Sequence, residues 1–260
     1  MIIFTHIPKT AGTSINRTIL RTQLSPIERD FEVKKGRTFE DYLFGNKKFK
    51  NVPKYIAGHF PYGIHKCFDT TDYSYFTFLR EPVSRWISHF RYSLSCDDDQ
   101  IKRLYNEEKD FERFLDRCLE EEMVCNVMTK QLSGLEKPSD LILRKKHIKQ
   151  GSYYVPAACA GKRKYTVNEM QEMLKRARTN LGLNYDFIGL QENYHEDVIR
   201  FCEYYKLKAP AENKRFRVGK KDDGLGEILT KEKVRDKIVE LNRYDIQLYD
   251  YAREHFYGQY

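Results

Sequence analysis

The stretch Met1-Ile-Ile-Phe-Thr-His-Ile-Pro-Lys-Thr-Ala-Gly-Thr-Ser14 opens the chain and joins a short apolar run to a basic, glycine-containing turn. The apolar run at residues 2–4 is typical of a central parallel strand, which is buried on both faces. Pro8 has no N–H to donate to a neighbouring strand, so we expect the strand to end at about Ile7. The stretch therefore predicts a buried strand that leads directly into a turn and a helix.

The turn after this strand, which we call the Lys9 loop (residues 9–14), has the composition of a phosphate-binding loop. Lys9 is followed by small or flexible residues, and Thr13 or Ser14 can cap a helix that continues through the apolar positions at 15–20. The N–H groups and the dipole at a helix start favour an anion, and Lys9 adds a full positive charge. The loop does not match the Walker A pattern, because its lysine precedes the glycine. It predicts a phosphate cradle of a different kind.

A second strand-to-helix junction carries a second predicted anion site. Residues 73–79 are mostly aromatic and are bounded by polar residues, which predicts a strand. Pro82 is typical of the first turn of a helix, and it follows Arg80 at the strand tip. The predicted helix has one apolar face, made of Val83, Trp86, Ile87 and Phe90. Ser88 lies away from that face, so Arg80 and Ser88 are both placed to bind an anion.

His59 comes at the end of another predicted strand, residues 54–59. The carboxyl end of a strand is where open α/β sheets place their reacting groups. An imidazole has a reference pKa of about 6.5, so it can accept a proton from a hydroxyl group near neutral pH. His6 and His65 are the nearest alternatives, and we expect His6 to pack beside the phosphate cradle. From the residues alone two interpretations of His59 stay open: a structural histidine, which is the commoner case, or a general base.

The Lys9 loop and the segment Arg80-Glu-Pro-Val-Ser-Arg-Trp-Ile-Ser88 resemble the two phosphate-binding segments of sulfotransferases, especially the heparan sulfate 2-O-sulfotransferase branch. The resemblance implies an α/β, P-loop-like fold with a central, mostly parallel sheet flanked by helices. It also implies a donor, 3′-phosphoadenosine-5′-phosphosulfate (PAPS), whose sulfuryl group is transferred in line to a hydroxyl, most readily that of a carbohydrate. This chemistry requires no metal.

The same resemblance implies roles for individual residues. His59 would take the proton of the acceptor hydroxyl, while Lys9 would neutralise the charge that grows on the bridging oxygen and the 5′-phosphate. Arg80 and Ser88 would hold the 3′-phosphate, and a late basic loop would complete the nucleotide pocket. The implied donor-binding residues are Lys9, Thr10, Ala11, Gly12, Thr13, Ser14, Arg80, Ser88, Lys214 and Arg215.

Residues 126–134 resemble a further segment of the family and leave two interpretations open. The polar side chains of Asn126, Lys130 and Gln131 point toward an acceptor in the first. In the second, the segment is the carboxyl end of a helix that stops at Gly134, which is the more economical interpretation.

The rest of the chain predicts a further strand and several helices. Thr166 and Glu169 form a capping box at a helix start, and Asn193 with Glu196 has the same spacing at another. We expect a strand at residues 185–190, and helices at about 39–43, 166–181, 193–202, 230–240 and 242–256.

The composition is that of a globular protein, with 40% hydrophobic and 32% charged residues in a chain of 260. We expect one sulfotransferase domain over residues 1–260. No apolar run approaches the roughly 20 residues that span a bilayer, and the first residues do not form a signal peptide pattern. We therefore expect a cytoplasmic protein if the chain is full length, or a Golgi lumenal one if it is a trimmed catalytic domain.

The cysteines and acidic residues give no pattern that predicts a metal site. The residues Asp97–Asp99 are consecutive, so their carboxylates cannot all face one ion, and such runs are usually solvated. No Cys-x2-Cys pair occurs, so we expect mostly buried thiols. The six cysteines are Cys67, Cys96, Cys118, Cys125, Cys159 and Cys202.

Two other functions remain open from the residues alone. A P-loop kinase shares the strand-loop-helix design, but it needs Mg²⁺ and a lysine in the Walker position. A basic module that binds nucleic acid or glycosaminoglycan agrees with the net charge of +8 and with the cluster at residues 162–164, but it does not explain two anion sites at strand tips. We expect a nucleotide donor and an anionic or neutral carbohydrate acceptor as partners, and no nucleic acid.

Overall fold

A computed structural model describes residues 1–24, 48–49, 52, 54–59, 61–96, 100–108, 110–122, 124–134, 141–142, 155–156, 164–211 and 226–257. Its centre is a parallel sheet of four strands, which are β1 (Ile2–Thr5), β2 (Tyr55–Gly58), β3 (Ser74–Leu79) and β6 (Tyr185–Leu190), in the order β2-β1-β3-β6. A separate antiparallel pair is formed by β4 (Leu141–Ile142) and β5 (Val155–Pro156). The predicted α/β architecture is confirmed.

The helices that follow β1 and β3 begin next to the predicted anion sites. After β1 come α1 (Gly12–Ile15), a π-helical segment (Asn16–Leu20) and α2 (Arg21–Gln23). A 3-10 helix (Ile64–Cys67) follows β2, and α3 (Pro82–Leu94) follows β3. The later helices are α4 (Gln100–Glu108), α5 (Phe111–Glu120), α6 (Val127–Leu132), α7 (Val167–Leu183), α8 (Tyr194–Tyr204), α9 (Gly226–Thr230), α10 (Glu232–Leu241) and α11 (Arg243–Phe256).

The sheet is buried on both faces because successive side chains of each strand point to opposite sides. On one face, Phe4, Phe76 and Phe187 pack with the helix after β1 and with α8. On the other face, Ile3 and Tyr75 pack with α6, α7 and α11. A third apolar cluster joins α3 to α4, α5 and α10. Within the described ranges, no helix is long and apolar enough to cross a membrane.

The strand order explains where a ligand would bind. From β1 the chain passes to β2 on one side of it, and then to β3 on the other. Thr5 is aligned with both Gly58 and Thr77, so the segments that follow these three strands leave the same edge of the sheet. Such a reversal of strand order opens a crevice at the carboxyl ends of the strands, which is the usual ligand site of open α/β sheets.

The structure corrects the predicted start of the first helix. β1 ends at Thr5 and not at about Ile7. The helix begins at Gly12 after Ala11, whose φ of 66° is left-handed, and no side chain caps it, so Thr13 and Ser14 are not the caps. Two left-handed residues, Lys9 and Ala11, turn the chain, and local propensity does not favour them there.

The other predicted elements are largely confirmed. Thr166 and Glu169 form the capping box at the start of α7, whereas the Asn193 side chain makes no cap hydrogen bond at α8. The single helix expected from residue 230 is preceded by the short helix α9. The helix predicted near residues 39–43 and the acidic run Asp97–Asp99 lie outside the described residues, as do Lys214 and Arg215.

Candidate active site

The Lys9 loop is held in place by its own hydrogen bonds. Lys9 has a φ of 71° and Ala11 a φ of 66°, so both residues are left-handed. The hydroxyl of Thr10, which is buried, donates to the Ile7 carbonyl oxygen at 2.9 Å. The Ser14 N–H donates to the Ala11 carbonyl oxygen at 2.9 Å, so the backbone donors for an anion must precede Ser14. Turns with left-handed residues can gather consecutive N–H groups around an anion.

Gly12 has a steric role in this loop. A Cβ added to Gly12 would lie 2.1 Å from the Cδ2 atom of His6, which is far inside the contact distance. His6 stacks between two rings, because its centroid lies 5.2 Å from that of Phe4 and 4.6 Å from that of His59. His6 thus packs beside the loop as expected, and glycine allows the loop to approach it.

His59 has a defined tautomer in its neutral form. Its Nδ1 atom lies 2.6 Å from the backbone carbonyl oxygen of His6. A carbonyl oxygen only accepts, so Nδ1 must carry the hydrogen and donate it, which leaves the lone pair of the neutral ring on Nε2. The Gln131 Nε2 atom donates to the same oxygen at 3.2 Å. The arrangement orients an imidazole that can accept a proton at Nε2.

Arg80 connects the two predicted anion sites. Its NH1 group donates to the Lys9 carbonyl oxygen at 3.2 Å. The neighbouring carboxylate of Glu81 is used differently, because it accepts from the N–H groups of Val83 and Ser84 and caps α3. The Glu192 Oε1 atom in turn accepts from the Glu81 N–H at 2.9 Å, which ties the start of α3 to the end of β6. The Glu81 carboxylate therefore serves as the N-cap of α3.

Helix α3 has a stripe of side chains, which includes Ser88, His89 and Tyr92, on the side of the Lys9 loop. The sequence indicated only Ser88, as an anion-binding residue, and Ser88 is partly exposed. The Lys9 Nζ atom lies 4.5 Å from the centroid of the Tyr92 ring, at cation–π distance. Burial, with the positive charges of Arg85 and Lys9, lowers the pKa of His89 to about 3. Ser88, His89 and Tyr92 are spaced as one helix face, opposite the apolar face. This spacing is the signal that could have identified His89 and Tyr92 as residues near the site.

His65, the alternative base, lies in a cluster with Tyr73 and Tyr75. The Tyr75 hydroxyl accepts from the N–H groups of Gly63 and His65, so its own hydrogen is donated to His65 Nδ1 at 2.9 Å. The ring also stacks on Tyr73, with centroids 4.2 Å apart. Burial, together with Lys66 and Lys48, lowers the pKa of His65 to about 4. Since Tyr75 lies near the amino end of β3, His65 is a structural residue away from the crevice.

The polar residues of segment 126–134 mostly join helices to one another. The Asn126 Oδ1 atom accepts from the N–H groups of Tyr244 and Asp245 at the start of α11. Lys130 is 1% exposed, and its Nζ lies 3.3 Å from Glu122 Oε2. Only Gln131 contacts the site, through the His6 carbonyl oxygen. Asn126 and Lys130 therefore have structural partners. Asn126 lies at the start of α6 and not at its end, and the helix ends at Leu132, two residues before Gly134.

Acidic, histidine and cysteine side chains do not gather into a metal site in the described part of the chain, where no group of three or more is suitably placed. The described cysteines are free thiols, as expected, and four of them are buried: Cys67, Cys118, Cys125 and Cys202. Burial raises the pKa of the Cys125 thiol to about 12, so it is an unreactive neutral group.

Comparison with known proteins gives a family. No curated protein matches the chain in a sequence search. The sequence model of one family, described as the sulfotransferase family, matches residues 1–252 of the chain. Because this match spans nearly all of the 260 residues, and because the parallel sheet agrees with it, the chain belongs to the sulfotransferase family.

Proposed function

We propose that this sulfotransferase transfers the sulfuryl group of PAPS to a carbohydrate hydroxyl, with His59 as the general base and residues 1–260 as a single domain. The observation that carries the proposal is the position of His59. It is hydrogen-bonded at 2.6 Å to the carbonyl oxygen of His6, three residues before Lys9. A proton acceptor and a cation that favours an anionic leaving group therefore flank one crevice.

Two cationic groups support a nucleotide donor with phosphates at two positions. Lys9 and the N–H groups from Thr10 to Thr13 suit the 5′-phosphosulfate, while Arg80 and Ser88 suit the 3′-phosphate. The hydrogen bond from Arg80 to the Lys9 carbonyl oxygen keeps the two halves of the site in contact. A donor with both phosphates would thus engage the loop after β1 and the start of α3 together.

The reaction needs few protein groups beyond positioning. His59 Nε2 accepts the hydroxyl proton as the acceptor oxygen bonds to sulfur. The bond between sulfur and the bridging oxygen breaks, and its electron pair stays on the 5′-phosphate. Lys9 then neutralises the charge that this phosphate gains, an electrostatic contribution of the kind that dominates many enzymes. The products are the sulfated acceptor and adenosine 3′,5′-bisphosphate (PAP).

An acidic carbohydrate fits a basic groove that begins at Tyr62. A groove of about 290 Å³ is lined by the aromatic ring of Tyr62 and by three cations, Lys66, Lys175 and Arg176, with one acid, Glu172. Tyr62 is three residues after His59, and its N–H donates to the Gln131 carbonyl oxygen at 3.2 Å. An aromatic ring beside cations is suited to a sugar that bears carboxylates or sulfates.

The function is tested with PAPS carrying labelled sulfate and a panel of acceptors. We expect label to enter an acidic polysaccharide, with PAP formed in equal amount and without added metal, and we expect less transfer to a neutral polysaccharide. Transfer to protein tyrosine in place of sugars would contradict the acceptor class. Phosphorylation of an acceptor by Mg-ATP, with no use of PAPS, would contradict the proposed function as a whole.

A further inference from the structure

Helix α3 has two faces of different character. Trp86 and Phe90 are buried in the apolar cluster that α3 shares with α4 and α5. The opposite stripe carries Arg85, Ser88, His89 and Tyr92, at the i, i+3, i+4 and i+7 spacing of one helix face. Since Tyr92 lies under the Lys9 ammonium group, this stripe faces the Lys9 loop. The proposed function uses Ser88 on this stripe, and Arg85 donates to Asn242 Oδ1 at 3.3 Å, but His89 has no role in it.

The His89 Nδ1 atom is buried and has no hydrogen-bond partner in the described part of the chain, although the ring is partly exposed. Buried polar atoms are nearly always hydrogen-bonded, so an exception requires an explanation. Four other such atoms of the described residues lie on α3. Trp86 Nε1 and Ser93 Oγ belong to nearly fully buried side chains on the stripe that includes Phe90. Arg85 Nε and NH1 belong to a buried side chain whose NH2 group donates to Asn242 Oδ1 at 3.3 Å. His89 differs from Trp86 and Ser93 because its stripe faces the loop, and it differs from the fully buried Arg85 because its ring is partly exposed.

The electrostatic surroundings of His89 indicate what its partner would be. The ring is influenced by the charges of Arg85 and Lys9 and by His59. Burial and these neighbours lower its pKa to about 3, so the ring stays neutral at physiological pH and keeps one N–H donor. A neutral donor among cations favours an oxygen atom of an anion as its partner.

We propose that His89 is a further donor-binding residue, whose Nδ1–H donates to a sulfuryl oxygen of bound PAPS. The inference rests on the proposed function. Lys9 serves the bridging oxygen and His59 serves the acceptor hydroxyl, so the sulfuryl group must pass between them. His89 lies on the same stripe as Tyr92, which lies under the Lys9 ammonium group, and its buried Nδ1 atom has no hydrogen-bond partner in the described part of the chain. It is therefore the side chain on α3 suited to contact that group.

The test compares two nucleotides that differ only in the sulfuryl group. Calorimetry measures the affinity of PAPS and of PAP, without acceptor, for wild type and for His89→Ala, His89→Asn and His89→Gln. The Asn amide nitrogen lies near the position of Nδ1, and the Gln amide nitrogen lies near that of Nε2. We expect His89→Ala and His89→Gln to weaken PAPS binding about tenfold and to leave PAP binding within about twofold, whereas His89→Asn retains most of the PAPS affinity.

The outcomes separate this inference from the proposed function. If wild type binds neither nucleotide, the proposed function fails. If wild type binds both and His89→Ala leaves the PAPS affinity unchanged, only the inference fails. An equal loss of PAPS and PAP binding, with a lower melting temperature, would make His89 structural and would also overturn it. The control is His195→Ala, at an exposed position of α8, which should change neither affinity.

Discussion

The His59 imidazole donates from Nδ1 to the backbone carbonyl oxygen of His6 at 2.6 Å. The sheet produces this contact. Thr5 and Gly58 are paired in register, so the residues that follow them, His6 and His59, lie next to each other. The bond holds the tautomer in which the neutral ring carries its lone pair on Nε2. A backbone oxygen thus orients the candidate base, in the role that a carboxylate often has in other enzymes.

Two substitutions of His59 separate the base from its hydrogen bond. His59→Ala removes both, while His59→Asn keeps a donor near Nδ1 and removes the proton acceptor. We expect both variants to lower turnover by about 10²- to 10⁴-fold, the usual contribution of a general base, and to bind PAP normally. Steady-state kinetics with PAPS give the result. If His59→Asn retained wild-type turnover, His59 would be a positioning residue and not the base.

Gly12→Ala should disrupt the site by steric overlap. The added Cβ would lie 2.1 Å from His6 Cδ2 and 2.4 Å from His6 Nε2, so the ring or the loop must move. We expect PAP affinity to fall at least tenfold. The double variant Gly12→Ala with His6→Ala removes the clash and should recover part of that affinity, a coupling typical of residues in contact.

Gly226→Ala is the matched control for this pair of variants. Among the described residues, no atom lies within 4 Å of a Cβ added at Gly226, and the residue lies in α9. Its PAP affinity should equal that of wild type. Normal PAP binding by Gly12→Ala would contradict the packing of His6 against the loop.

Tyr92 should position the Lys9 ammonium group. The cation lies 4.5 Å from the ring centroid, and such contacts contribute about 0.5–2 kcal/mol. We expect Tyr92→Leu to weaken PAP binding by about 3- to 20-fold and Tyr92→Phe, which keeps the aromatic face, to remain close to wild type. Calorimetry distinguishes the two cases. Equal losses in both variants would assign the effect to the hydroxyl group.

Acid should destabilise the protein in part through His65. Its folded pKa of about 4 lies below the ordinary value of 6.5, so the unfolded chain binds more protons between these values. The contribution of His65 to the free energy of unfolding is complete above about pH 6.5. It is lost as the pH falls towards 4, by at most about 1.4 kcal/mol per pH unit. His65→Asn, which keeps an acceptor near Nδ1, should lose less stability than wild type between pH 7.5 and 5 in urea unfolding. An equal loss of stability in wild type and in His65→Asn would contradict this role of His65.

The sequence predicted the features that local patterns encode. Apolar runs marked the strands, the capping box at Thr166 marked α7, and the residues around Lys9, His59 and Arg80 pointed to one edge of the sheet. The Lys9 loop was identified as a turn, but the helix start was misplaced. Left-handed Lys9 and Ala11 are set by the surrounding structure and not by residue preference.

Local sequence patterns could not predict the contacts between residues that are distant in the chain. The bonds from His59 and Gln131 to the His6 carbonyl oxygen join three elements of the chain. The contact of Lys9 with Tyr92 depends on how α3 lies against the loop. Periodicity assigned the apolar face of α3, while the opposite stripe was interpreted only at Ser88. A polar stripe opposite an apolar one is usually solvated, so its role became visible only when its neighbours were known.

The most direct test of the central claim is calorimetric binding of PAP, without metal, to wild type and to Arg80→Ala, with ATP as the comparison ligand. A charge-assisted contact contributes about 1.5–3 kcal/mol, so Arg80→Ala should weaken PAP binding by roughly 10- to 150-fold. ATP has no 3′-phosphate and should bind wild type weakly. Metal-independent PAP binding that depends on Arg80 is the predicted result. Preference for Mg-ATP, or PAP binding that Arg80→Ala leaves intact, would contradict the account.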